Sequence, residues 1–207
     1  MKITSAFDGG NIRCLGLDSA ENIMLEIEKD RNSEFYQWFY FHLVGSRGKS
    51  YRLRIINAGK AAYPEGWKNY RAVASYDRVN WFRVQTNFDG NVLEINHKII
   101  KNSVYFAYFA PYTMEQHYDL IARCIQDSKV SLEVVGNSLD GANIDLLSIG
   151  ADKRKKLKIW IIARQHPGET MAQWFIDGFL RRLLNKNDAI SRALLDQATF
   201  MIVPNMN

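Results

Sequence analysis

The first 110 residues read as short apolar runs broken by turn-forming residues. Residues 12–17 and 22–28 are two such runs, separated by Asp18-Ser19-Ala20. Residues 36–44 are rich in aromatics, and in 51–57 Tyr51, Leu53 and Ile55 alternate with Arg52 and Arg54. A period of two places the apolar set on one face of a pleated strand. Residues 81–86 and 92–98 flank Asn87-Phe88-Asp89-Gly90-Asn91, a hairpin-type connection in which Gly90 can take a positive φ. Residues 103–109 form a further aromatic run, and no segment here sustains a long helical period. Many short strands at this spacing predict an antiparallel β-sandwich over residues 1–110.

The pattern changes at Pro111-Tyr112-Thr113. Thr113 is placed to cap a helix and Gln116 lies three residues on, as in a capping box. Tyr118, Ile121, Ala122 and Ile125 then recur at helical spacing. Strand-like runs follow at 130–135, 143–149 and 157–163. The last is nearly all apolar, which predicts a strand covered on both faces. Residues 169–184 form an amphipathic pattern, with Ala172, Phe175, Ile176, Phe179, Leu180 and Leu183 on the apolar side and Arg181, Arg182 and Lys186 near the C-terminal end, where the helix dipole favours cations. A second helical piece spans 190–195, and 200–203 reads as another buried strand. Residues 111–207 therefore read as α/β, and the whole chain as an α+β protein of two domains.

The 207 residues carry a formal charge of +5, with Lys and Arg scattered along the chain. Their one dense cluster, Lys153-Arg154-Lys155-Lys156, reads as a solvated turn before a strand rather than as a nucleic-acid contact, and no nucleic-acid partner is expected. Cys14 and Cys124 fit no metal-ligand spacing and sit among apolar neighbours, as buried free thiols in a reducing compartment would. The N-terminus lacks an apolar stretch of signal-peptide length, and the run at 35–44 is too short to span a bilayer. A cytoplasmic protein without a membrane partner is expected; the sequence does not speak to oligomeric state. Tyr36, Trp38, Tyr40 and Phe41 read as core packing of the sandwich rather than a carbohydrate-stacking face. Ser131, Ser138 and Ser148 have no paired His at readable spacing, so a serine hydrolase has no support.

Candidate chemistry concentrates at Arg164-Gln165-His166-Pro167-Gly168-Glu169-Thr170, where a buried-type strand runs into a helix. Imidazole nitrogen and carboxylate oxygen are both zinc donors, and His and Glu three apart can share one ion at such a bend. The carboxyl edge of a sheet is also where α/β proteins usually place their sites. The spacing alone is not specific, since a His on a turn and a Glu favoured at a helix N-terminus by the dipole give the same pattern. Arg164 reads as a surface or helix-packing residue rather than a substrate contact, and Tyr112 as a packing residue at the domain boundary.

The segment from Ala163 to Thr170 resembles the zinc motif of the M14 metallocarboxypeptidases, in particular the cytosolic carboxypeptidase branch. Phe109-Ala110-Pro111-Tyr112-Thr113 is similar to the segment that opens the catalytic domain in that branch. Ser75-Tyr76-Asp77 with Trp81-Phe82-Arg83-Val84 is similar to its N-terminal domain. Residues 202–207 resemble the strand that leads into the family's Asn-Pro-Asp-Gly motif. The resemblance implies an N-terminal β-sandwich followed by the first part of an α/β zinc carboxypeptidase domain. It also implies Zn²⁺ as cofactor with His166 and Glu169 among its ligands, and the C-terminus of a peptide or protein as substrate. The family's third ligand, a later His, has no counterpart, because His42, His97 and His117 all precede His166. The general-base Glu and the substrate-holding Arg groups likewise match no position here and are expected beyond Asn207. Residues 1–207 alone are thus expected to be inactive. Two other readings stay open: a zinc deacylase of N-acyl amino acids related to aspartoacylase, and a non-catalytic interaction module.

Overall fold

The computed structural model describes residues 1–150 and 157–207. The Lys153–Lys156 turn expected from sequence lies outside the described residues. Two compact units divide the chain, Met1–Pro111 and Tyr112–Asn207.

The first unit is built from ten strands: β1 Lys2–Thr4, β2 Arg13–Ser19, β3 Asn22–Glu26, β4 Tyr40–Val44, β5 Ser50–Ile55, β6 Val73–Ser75, β7 Trp81–Arg83, β8 Gln85–Phe88, β9 Leu93–Lys98 and β10 Ser103–Ala107. They form two five-stranded sheets, ordered β1-β4-β10-β6-β7 and β2-β3-β5-β9-β8. In β5, Tyr51, Leu53 and Ile55 are buried, as their alternation requires. One core takes Phe41, Leu43, Val104 and Phe106 from the first sheet and Ile23, Leu25, Leu53, Ile55, Leu93 and Ile95 from the second, so the unit is a sandwich. Trp38 and Tyr40 join a smaller cluster with Phe7, Trp81 and Tyr105. The aromatic run therefore packs on both faces of its strand.

Two expectations are corrected in this unit. The sandwich is not wholly antiparallel, because β3 and β5 pair in parallel, Ile23 opposite Leu53. The chain leaves β3, contributes β4 to the other sheet and returns as β5, and such a crossover restores the original direction. Residues 81–86 are also not one strand. Trp81–Arg83 ends one sheet and Gln85–Phe88 ends the other, with buried Val84 at the switch. Val84 donates its N–H to Ala72 O at 3.0 Å, and Ala72 donates to Thr86 Oγ1 at 3.0 Å.

The second unit runs α1 Met114–Cys124, β11 Val130–Asn137, β12 Asn143–Ile149, β13 Leu157–Ile162, α2 Thr170–Leu183, α3 Ala189–Gln197 and β14 Ala198–Val203. Thr113 and Gln116 make both halves of the capping box that starts α1. The sheet order is β11-β12-β14-β13. β13 and β14 pair in parallel across the α2–α3 connection, and the other pairs are antiparallel. Ile176, Leu180 and Leu183 of α2 pack on Leu147, Ile149, Phe200 and Ile202 of the sheet. Among the described residues, the run expected to be covered on both faces, 157–163, is covered on one. Among the described residues β13 is last in the sheet order, with Leu157, Trp160 and Ile162 exposed. Ile159 and Ile161 turn toward the core, and Trp160 and Ile162 point to the opposite face; Leu157 opens the strand on the core side but stays exposed. Among the described residues no helix is long and apolar enough to cross a membrane.

Candidate functional site

The chain leaves the carboxyl end of β13 through Ala163, which extends the parallel pairing by donating its N–H to Val203 O at 3.0 Å. Ala163 O in turn accepts from Met206 N at 3.0 Å. Arg164 then adopts φ +49°. For a residue with a Cβ this left-handed conformation costs about 1–2 kcal/mol, and it breaks the strand direction within one residue. Residues 166–169 form a turn closed by Glu169 N donating to His166 O at 3.0 Å, and α2 starts at Thr170.

That turn brings the two expected metal ligands together. His166 Nδ1 lies 3.0 Å from Glu169 Oε1, with the side chains 76% and 52% exposed. Glu169 is the N-cap residue of α2 rather than a member of its first turn, and its side chain makes no capping bond. The carboxylate faces the imidazole instead. Zinc bonds of about 2.0–2.1 Å in tetrahedral geometry separate two donors by about 3.3 Å, so a nitrogen and an oxygen at 3.0 Å on an open surface fit one zinc ion. Among the described residues no cluster of three or more His, Cys, Asp or Glu stands ready for a metal. The other histidines are engaged elsewhere. His42 stacks on Tyr105, His97 Nε2 meets Tyr76 OH at 2.8 Å, and His117 Nε2 meets Asp145 Oδ2 at 3.0 Å in the core.

Beneath the pair lies a polar framework that sequence reasoning missed. Arg164 Nε donates to Pro167 O at 3.0 Å, and its Nη1 donates to Tyr112 O at 2.7 Å and to Gln173 Oε1. Gln173 is fully buried and its Nε2 has no partner among the described residues. One turn further along α2, Asp177 accepts from Tyr112 OH at 3.0 Å, Arg123 at 2.5 Å and Arg181 Nε at 2.7 Å, which joins α1, α2 and the start of the unit. Burial alone would raise the Asp177 carboxyl, but the bonds from Arg181 and Tyr112 and the charge of Arg123 outweigh it and hold it below the usual range. Burial, and then the Asp177 charge, raise the Tyr112 phenol. A signal for these residues existed: Gln173 and Asp177 are four apart on the stripe that carries Ile176 and Leu180, and polar residues on a buried stripe need partners.

The thiols are free. Burial pushes Cys124 up to about 11, so it is a packing group and not a nucleophile. Cys14 is only half-buried, which corrects the expectation of full burial, because its side chain lies at an irregular pairing of β2 with β3 and meets Gly16 O at 3.9 Å.

Residues 3–109 match the family described as cytosolic carboxypeptidase N-terminal domain, and residues 116–207 match the zinc carboxypeptidase family. An uncharacterized protein of Zymomonas mobilis is 47% identical over all of this chain and 53% of its own length. The crystal structure of a metallo-carboxypeptidase from Burkholderia cenocepacia superposes with a TM-score of 0.96 at 46% identity, covering 100% of this chain and 56% of that one. A metallo-carboxypeptidase from Pseudomonas aeruginosa, solved in complex with (2-guanidinoethylmercapto)succinic acid, gives 0.96 at 39% identity with the same coverage. The chain thus spans about half the length of these proteins.

Proposed function

Because the chain belongs to the cytosolic carboxypeptidase branch of the M14 zinc carboxypeptidases, we propose that it supplies the first two metal ligands, His166 and Glu169, of a peptidase that removes residues from peptide or protein C-termini. One observation carries the reading: the Nδ1 and Oε1 donors meet at 3.0 Å on an open bend at the carboxyl edge of the sheet. A zinc ion held there supplies Lewis acidity and an activated water. The residues of this chain contribute donor chemistry and position. The turn closed between Glu169 N and His166 O fixes their relative placement, and the exposed face leaves room for a substrate carbonyl. The third ligand, the general-base Glu and the Arg groups that grip a terminal carboxylate are proposed to come from the rest of the whole protein. The succinic acid derivative bound by the Pseudomonas aeruginosa relative is a carboxylate ligand of the kind such a grip would hold. Two free thiols and the family description support a cytoplasmic location.

The test is His166→Ala in the whole protein, assayed on a peptide and on an N-acyl amino acid. Zinc content and peptide hydrolysis should vanish, while stability compared between the two metal-free proteins stays within about 0.5 kcal/mol, since the side chain is exposed. A fully active variant overturns the assignment, and preference for the N-acyl amino acid transfers it to a deacylase.

A further inference from the structure

We propose that Arg164 is a positioning residue that holds the His166–Glu169 pair in its metal-ready geometry; this rests on the zinc reading above. The two donor side chains lie on the surface and lean on each other, so the backbone beneath must set their geometry. That backbone is a single turn, and Arg164 Nε donates to Pro167 O at its centre. The same guanidinium donates through Nη1 to Tyr112 O and Gln173 Oε1, and Tyr112 and Gln173 are buried. One planar cation therefore ties the ligand turn to the residue preceding the N-cap of α1 and to the first turn of α2. The fixed directions of guanidinium N–H groups suit such a three-way tie, and an ammonium on a flexible stem does not.

Two local penalties sit at this tie. Arg164 has the left-handed φ of +49°, and Gln173 Nε2 stays unpartnered in the interior among the described residues. With Oε1 committed to Arg164, the amide cannot turn its nitrogen elsewhere. Strained backbone and orphaned polar atoms persist where the surroundings over-determine them, and they gather at working sites. Groups behind a metal ligand orient it and are worth roughly 10–100-fold in metal affinity.

The experiment uses the whole protein and two readouts: the zinc dissociation constant from chelator competition, and amide hydrogen exchange at Gly168 and Glu169 in the metal-free protein. Arg164→Met should weaken zinc binding roughly 10–100-fold and speed exchange in the turn. Gln173→Met removes one anchor together with the orphaned nitrogen, so zinc binding should weaken several-fold while the melting temperature holds or rises. Asp177→Asn, on the neighbouring clamp, should lower the melting temperature and leave zinc affinity unchanged. Wild-type zinc affinity and wild-type exchange in Arg164→Met overturn the inference; should that variant not fold, wild-type values in Gln173→Met do so. If the unsubstituted protein binds no zinc, the ligand assignment fails, and exchange in the metal-free turn still decides the role of Arg164.

Discussion

Replacing Asp177 by Ala removes the acceptor at the centre of the clamp on α2. Asp177 is 7% exposed, and its loss leaves the buried Tyr112 hydroxyl with only a 3.4 Å approach to Gln116 O. An orphaned buried hydroxyl costs about 1–3 kcal/mol. Arg123 and Arg181 are 41% and 62% exposed and can turn to water, so each lost pair adds only about 0–1 kcal/mol. The expected destabilisation is about 2–4 kcal/mol. Asp177→Asn keeps an oxygen for Tyr112 and should cost less, about 1–2 kcal/mol. Urea denaturation at neutral pH, with amide exchange along α2 as the local probe, measures both. The pH dependence has a definite sign. The native carboxyl is held below its ordinary range, so its contribution is complete above the unfolded value of about 3.9 and is lost as pH falls through the native value. The gap between wild type and Asp177→Ala should therefore close under acid. A variant within about 1 kcal/mol of wild type at neutral pH, or a gap that widens on acidification, would refute the account.

Three further outcomes are expected. Thr113→Ala removes the hydroxyl half of the box that starts α1 and should cost about 1 kcal/mol, with faster exchange confined to the first turn; unchanged stability would contradict it. Trp160→Glu, at a side chain 55% exposed on β13, should leave stability within about 0.5 kcal/mol and reduce light scattering by residues 1–207; increased scattering would count against it. Residues 1–207 alone, with two donors for the ion, should hold zinc weakly and release no C-terminal residue from a peptide; robust zinc-dependent release would overturn that.

Much of the architecture was legible because burial and period coincide. Tyr51, Leu53 and Ile55 alternate and are buried, and Thr113 with Gln116 names its own helix start. The partnership of His166 with Glu169 was legible from the motif around them, and the structure sets the two atoms side by side. What was not legible has physical causes. Val84 changes sheets without Gly or Pro, so its type carries no signal of a corner. The parallel pairing of β3 with β5 depends on where β4 goes, which no local pattern encodes. Leu157–Ile162 has the composition of a doubly covered strand, but cover is supplied by neighbours and not by the strand itself. Arg164 takes a conformation usually left to Gly or Asn, and nothing in an Arg announces it. Short β1 and β6, of three residues each, hold too few positions for an alternation to register.

The switch at Val84 has a consequence for how this chain meets copies of itself. Arg83 and Gln85 belong to the outermost strands of opposite layers, yet their Cα atoms can stand at most about 7 Å apart, closer than the roughly 10 Å between packed sheets. On that flank the layers are hemmed together like the closed side of an envelope. A foreign strand meets two short edges there, of three and four residues, rather than one long one. Runs that short are poor templates for pairing with another copy.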